Sequence, residues 1–273
     1  MTINIKGELI DLSKPKIMGI LNLTPDSFFD GGKYNDIDQA LKQTEKMINA
    51  GAYFIDLGAC STKPGAEQVS EDEEKKRLLP VLEKLIITFP STHFSIDTYR
   101  ASIANATLDR GASMINDIFG GQFDHKLMET VGKYDVPYVL MHIAGTPENM
   151  QKHPHYDNVV KEVLYYFSER IQMAYKAGIN DVIIDPGFGF GKTIDHNYDI
   201  LKNLELFHHL KLPLLIGLSR KSMIYKKLGV SPDEALNGST VLHTAALQKG
   251  AHILRVHDVR QAKECIELLQ ALG

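Results

Sequence analysis

Polar side chains close a series of short apolar runs in this chain, and their types are those that hold anions and flat hydrogen-bonding rings. Asn22, Asp56, Asp97, Asn116, His142, Asp185, the trio Ser219, Arg220 and Lys221, and the pair Arg255 and His257 each stand at or near the end of such a run. A local cap or ion pair explains any one of them, but a whole ring is harder to explain because each costs free energy to bury alone. Alternation along an extended backbone puts Arg255 and His257 on the side of Ile253, Asp97 on that of Ser95, and Asn116 on that of Met114, so the set can converge. Asp56 lies inside its run and is expected to orient its neighbours, while Asp117 and Asp258 are expected to be structural.

Arg255 and His257, with Asn22 and Lys63 from two loops, suit a phosphate or diphosphate, the cations giving charge and the His a donor. Asn22 also offers a neutral oxygen to Mg²⁺, which keeps several waters and shares its shell with substrate phosphates. The stretch DPGFGFGKT at 185–193 has Pro186 where a G-x-x-x-x-G-K-T phosphate loop needs glycine. It reads instead as a tight turn beginning at Asp185 and carrying Phe188 and Phe190, able to close over a flat ring while the carboxylate accepts from paired N–H donors. Lys221 and Ser222 should open a helix whose amides and dipole favour an anionic substrate group.

The elements that must position these residues alternate in type. Apolar, β-branched-rich runs recur at 16–22, 53–59, 93–98, 113–118, 138–142, 182–186, 214–219 and 253–258, as strands covered on both faces require. Amphipathic stretches lie between them, one with Ile37, Leu41, Thr44, Met47 and Ile48 at helical spacing and ending at Gly51, another ending at Gly178. Eight strands with helical crossovers predict one α/β domain over 1–273, a (β/α)8 TIM barrel whose leading INIKGELIDL is a β-hairpin at the bottom. Barrel sites form at the carboxyl ends of the strands, where the polar ring falls. The loops at 24–33 and 61–70 are polar, carry Gly and Pro, and suit lids; the charged run at 71–77 reads as a solvated helix face.

Composition narrows the function. Of 273 residues, 44% are hydrophobic and 23% charged, the profile of a globular protein. Lys and Arg number 30 against 34 Asp and Glu, a net charge of -4 that argues against a nucleic-acid partner. No apolar run reaches membrane-span length and the first residues lack a secretion pattern, so a cytoplasmic protein is expected. Cys60 and Cys265 have no metal or disulfide spacing, and the Asn-x-Ser/Thr triplets at Asn22, Asn105 and Asn237 are taken as chance.

The motifs NLTPDSF, STKPG, SIDTYR, MINDI, VLMH, DPGFGFGK, GLSRKS and RVHD, in this order and spread over nearly the whole chain, resemble the dihydropteroate synthase family of pterin-binding barrel enzymes. The resemblance implies an enzyme of folate biosynthesis and a sulfonamide target. Such an enzyme condenses 6-hydroxymethyl-7,8-dihydropterin diphosphate with p-aminobenzoate, assisted by Mg²⁺, to give 7,8-dihydropteroate and diphosphate. It further implies that Asp97, Asn116, Asp185 and Lys221 hold the pterin, with Met141 and Phe190 packed nearby. Asn22, Thr62, Lys63, Arg255 and His257 would hold the diphosphate, and Phe28, Pro64, Phe190 and Ser222 would border p-aminobenzoate. By the same likeness Asp97, Lys221, Arg255 and His257 carry the catalysis, Asn22 the metal, and the chain is a homodimer. The family commonly has Arg in the second loop where this chain has Lys63, which implies a looser contact. Three alternatives remain open: a pterin-dependent methyltransferase of the same superfamily, a Schiff-base aldolase using Lys221, and a non-catalytic pterin-binding protein.

Overall fold

A computed structural model of the chain describes residues 1–23, 33–60, 69–145, 150 and 154–272, without the side chains of 33–36. The chain opens with an antiparallel hairpin of β1 (Thr2–Ile5) and β2 (Glu8–Asp11). Lys6 and Gly7 both have positive φ, 51° and 93°, the handedness a two-residue turn needs to match the strand twist.

Eight parallel strands follow: β3 (Lys16–Asn22), β4 (Phe54–Gly58), β5 (His93–Asp97), β6 (Met114–Asp117), β7 (Tyr138–Met141), β8 (Val182–Asp185), β9 (Leu215–Ile216) and β10 (Ile253–Val256). They pair in the order β8-β7-β6-β5-β4-β3-β10-β9, and a bridge from Ile184 to Leu214 closes the ring. The expected barrel and its hairpin are both present. β9 is shorter than the 214–219 run because the chain curls at Leu218, whose carbonyl accepts from the Lys221 amide at 3.2 Å.

Helices α1 (Lys33–Asn49), α2 (Glu71–Thr88), α3 (Ala101–Leu108), α4 (Leu127–Val131), α5 (Val159–Lys176), α6 (Ile194–Lys202), α7 (Ser222–Leu228), α8 (Leu236–Gln248) and α9 (Val259–Ala271) surround the strands. Ser70, Asn158 and Thr193 cap α2, α5 and α6 through their side chains, each satisfying an amide that the first turn leaves unpaired. No helix is long and apolar enough to cross a membrane among the described residues.

The barrel interior changes character along the strands. Met18, Phe54, Met114, Val139, Ile183, Leu215 and Ile253 pack inside its lower half against Ile3, Ile5, Ile10 and Leu12 of the hairpin, and each fully buried side chain of this kind stabilises by about 1.5–3 kcal/mol. Two residues farther along the same strands, and so on the same inward face, come Ile20, Asp56, Asn116, Met141, Asp185, Gly217 and Arg255. Asp97 joins them through its register with Asn116. Apolar floor gives way to polar mouth in a single step.

The charged run on α2 is only partly solvated. Lys75 pairs with Glu71 and Arg77 with Glu73 on its exposed side, but Glu74 is 1% exposed and bonds to Arg100 and to the Thr98 hydroxyl. Glu74 stands four residues before Leu78, on the stripe that continues through Leu82 and Leu85 into the core.

Candidate active site

Arg255 is the centre of the polar layer. Its Nε donates to Asp56 Oδ2 at 2.7 Å and its Nη2 to Asp97 Oδ2 at 2.9 Å. Asn116 Nδ2 donates to the same Asp56 oxygen at 2.9 Å. Asp56 therefore orients its neighbours, as its place inside the strand predicts. Its Oδ1 and the Ser95 hydroxyl directly across from it are buried without a hydrogen-bond partner among the described residues. Burial pushes the Asp97 carboxyl up to about 7, with the Asp56 charge adding to the rise and the Arg255 guanidinium opposing it. Two carboxylates sharing one guanidinium at a largely buried barrel mouth form a high-cost arrangement, in which desolvation competes with Coulombic attraction.

Across the mouth, Asp185 ends β8 and accepts from the Gly187 amide at 2.8 Å. Gly187 has φ +69° and sits so close to β7 that an added Cβ would come within 1.9 Å of the His142 carbonyl; no other residue fits there. Burial raises the Asp185 carboxyl, while Lys221 and the Gly187 amide oppose the rise. Lys221, the residue before α7, donates to the Phe188 carbonyl and lies 4.5 Å above the centre of the Phe190 ring. Burial lowers its amine to about 8 against the pull of Asp185. Arg220, next to it, has φ +53°, a left-handed conformation that costs a non-glycine residue about 1–2 kcal/mol. The strain is held by a two-bond pair to Asp258, Nε at 2.8 Å and Nη2 at 3.0 Å, and it turns successive side chains to opposite sides.

The structure brings Asp97, Asn116, Met141, Asp185, Phe190, Lys221 and Arg255 to one mouth, with Asn22 at the inward end of β3 beside Gly58. Ser222 begins α7. His257 lies just past β10, exposed, with its amide on the Ser219 hydroxyl at 3.3 Å. Met141 and Phe190 share an apolar wall with Ile118, Phe119, Ile143 and Tyr99. Phe28, Thr62, Lys63 and Pro64 lie outside the described residues.

Two expected members of the ring and one aromatic of the turn face elsewhere. Arg220 is committed to Asp258, His142 is buried behind the strand beside Lys192, and Phe188 is wholly buried in the core instead of lying over the mouth. Alternation accounts for His142, since Met141 takes the inward position beside Asp185. Two features had escaped the sequence reading: Lys192, and the Glu74–Arg100 pair, whose guanidinium also donates to the Val69 carbonyl at 2.7 Å. The apolar stripe of α2 was the available signal for Glu74; nothing in the spacing marks Lys192.

Among the described residues no three His, Cys, Asp or Glu side chains gather to hold a metal. A protein-only cage is thus not offered there. Asn22, across Gly58 from Asp97 in the sheet, carries a neutral oxygen of the kind that fits an ion completing its shell with substrate phosphate and water.

The chain matches the pterin binding enzyme family over residues 18–257. It is 45% identical to the dihydropteroate synthase of Escherichia coli over 99% of this chain and 96% of that protein. The solved dihydropteroate synthase of Yersinia pestis in a sulfonamide complex superposes with a TM-score of 0.93 at 43% identity, covering 100% of this chain and 99% of that one. The enzyme of Xanthomonas albilineans in complex with 7,8-dihydropteroate superposes with a TM-score of 0.89 at 36% identity, over 100% and 98% of the two chains. With its closed barrel, its inward polar layer and this likeness from end to end, the chain belongs to the dihydropteroate synthase family of pterin-binding enzymes.

Proposed function

We propose that the chain acts as a dihydropteroate synthase, joining 6-hydroxymethyl-7,8-dihydropterin diphosphate to p-aminobenzoate in folate biosynthesis. The observation that carries the reading is the convergence of Asp185, held by the Gly187 amide, and Lys221, held by the Phe188 carbonyl, on the mouth that Asn116 lines, in a chain whose relative holds 7,8-dihydropteroate. An ionised Asp185 accepts from the ring N–H and amino group of a pterin, Asn116 both donates and accepts, and Lys221 donates to the acceptor edge. Met141 and Phe190 supply the apolar faces between which the ring packs. Asp97, already sharing Arg255, offsets positive charge that develops on the pterin methylene as the C–O bond to diphosphate breaks. Electrons of that bond leave with the diphosphate. The arylamine nitrogen forms the new C–N bond and sheds its proton to solvent, so positioning and electrostatics suffice without a strong base.

Asn22, Thr62, Lys63, Arg255 and His257 hold the diphosphate in this reading, Arg255 through donors not engaged by Asp56 and Asp97. Mg²⁺ held by Asn22 neutralises charge on the leaving group when bound. Phe28, Pro64, Phe190 and Ser222 border p-aminobenzoate. One barrel built from the described elements supports taking 1–273 as a single catalytic domain. Exposed Leu228, Val241 and Leu268 on adjoining α7, α8 and α9 support a homodimer, and the family likeness supports a cytoplasmic enzyme. A diphosphate-release assay with pterin diphosphate and Mg²⁺, with and without p-aminobenzoate, tests the function. Release that depends on the arylamine is expected; methyl transfer without diphosphate release, or no turnover, would overturn it.

A further inference from the structure

Behind the mouth, between β7 and the turn that follows β8, lies a buried group that the reaction does not touch. Lys192 is 3% exposed. Its Nζ stands 2.9 Å from His142 Nδ1, 2.9 Å from the Gly187 carbonyl and 3.0 Å from the Phe190 carbonyl, with the His142 carbonyl at 3.4 Å. The three close partners complete the amine in either charge state: an ammonium donates to all of them, and a neutral amine donates to the carbonyls and accepts from Nδ1–H.

The turn it holds is bound mainly by side chains. Lys221 donates to the Phe188 carbonyl, the Tyr156 hydroxyl to the Gly191 carbonyl at 2.8 Å, and the Gly189 amide to Asn197 Oδ1 at 2.7 Å. Within the turn the Phe190 amide donates to the Gly187 carbonyl at 3.1 Å, and Lys192 caps that same carbonyl. Of the two residues whose carbonyls Lys192 grips, Gly187 orients Asp185 through its amide and Phe190 places its ring beneath Lys221. We infer that Lys192 is a positioning residue for the pterin half of the reaction: by pinning the Gly187 and Phe190 carbonyls against His142, it fixes the turn on which Asp185 and Phe190 meet the ring. The inference rests on the pterin reading of the mouth.

Two variants test it. Lys192→Met keeps the aliphatic stem and removes every donor; Lys192→Arg keeps charge but substitutes a planar fork that cannot converge on three acceptors. Binding of 6-hydroxymethylpterin is followed by its fluorescence, and steady-state kinetics are run with each substrate varied, on protein shown to be folded by circular dichroism. In Lys192→Met the Kd for pterin and the KM for pterin diphosphate should rise together by about 10- to 100-fold. The KM for p-aminobenzoate at saturating pterin diphosphate should rise less than either, because Phe190 is the one residue of the turn that borders the arylamine in this reading. A merely structural lysine would lower the melting temperature and leave these constants in place, so pterin affinity within about twofold of wild type overturns the inference. Should the methionine variant not fold, the arginine variant decides by the same criterion. Wild type that releases no diphosphate would fail the pterin reading itself, whereas active wild type with an equally active variant fails only the role of Lys192.

Discussion

Asp56→Asn removes one charge from the barrel while preserving its shape. The asparagine carbonyl can take the place of Oδ2 and accept from Arg255 Nε and Asn116 Nδ2, now at 2.7 and 2.9 Å. Its amide then falls where Oδ1 lies without a partner, directly across from the similarly unpartnered Ser95 hydroxyl. That amide inherits a place without a partner, so the weakened bond to Arg255 sets the cost, about 1 kcal/mol, and the melting temperature should fall by about 2–4 °C. The larger effect falls on Asp97, which burial and the Asp56 charge together hold at about 7. Unit charges ~4 Å apart interact by about 4 kcal/mol at an effective dielectric of about 20; carboxylates held by different nitrogens of one guanidinium, Asp97 partly open to solvent, interact less, giving a relief of roughly 1–2 pH units. Arg255, left with one carboxylate, acts in the same direction. Since the reading requires ionised Asp97, and kcat/KM reports the free enzyme, the acid limb for pterin diphosphate should move down by about 1–2 pH units. Stability carries the matching sign. An Asp whose folded value is raised from 3.8 to about 7 contributes most below 3.8, and that contribution is lost as pH rises towards 7; the variant should flatten this slope. Rate profiles between about pH 5 and 9, with melts at each pH, decide the matter. An acid limb that stays in place or moves upward would refute the coupling.

For Asp185→Asn an acceptor pair becomes half donor against two N–H groups, so pterin affinity should fall by about 2–4 kcal/mol in calorimetry, and unchanged affinity would remove Asp185 from the site. Glu74→Gln should cost about 3 kcal/mol in urea unfolding because it leaves Arg100 without its buried counter-ion; an unmoved midpoint would return Glu74 to the solvated face. Lys63→Arg should preserve activity or lower the KM for pterin diphosphate, while Lys63→Ala should weaken that substrate by about 1–3 kcal/mol, and an alanine variant like wild type would make Lys63 a surface residue.

The barrel and most of its mouth could be read from the chain because strand alternation ties identity to direction. Asp97, Asn116 and Arg255 followed from parity, and Asp185 from its place at the end of an apolar run. Arg220 did not, because its direction depends on a left-handed backbone that a non-glycine residue does not announce. Phe188 was misplaced for a related reason: in a turn, neighbouring aromatics have no fixed period, and one entered the core while the other stayed at the mouth. Lys192 was hidden because its partners are mainly backbone carbonyls, which every residue carries. Glu74 shows how charge density misleads, since one carboxylate in a charged run can lie on the buried stripe.

The hairpin under the barrel has a bearing on chemistry it never approaches. Ile3, Ile5, Ile10 and Leu12 seal the lower opening against the same inward side chains that support the polar layer two residues above. They act as electrical insulation, because the upward shift of the Asp97 carboxyl depends first on burial. Loosening the plug would admit water from below, lift the effective dielectric around Arg255, and weaken every charge contact at the mouth without moving a single mouth residue. Changes at the hairpin should therefore register as altered pH dependence of turnover before they register as unfolding.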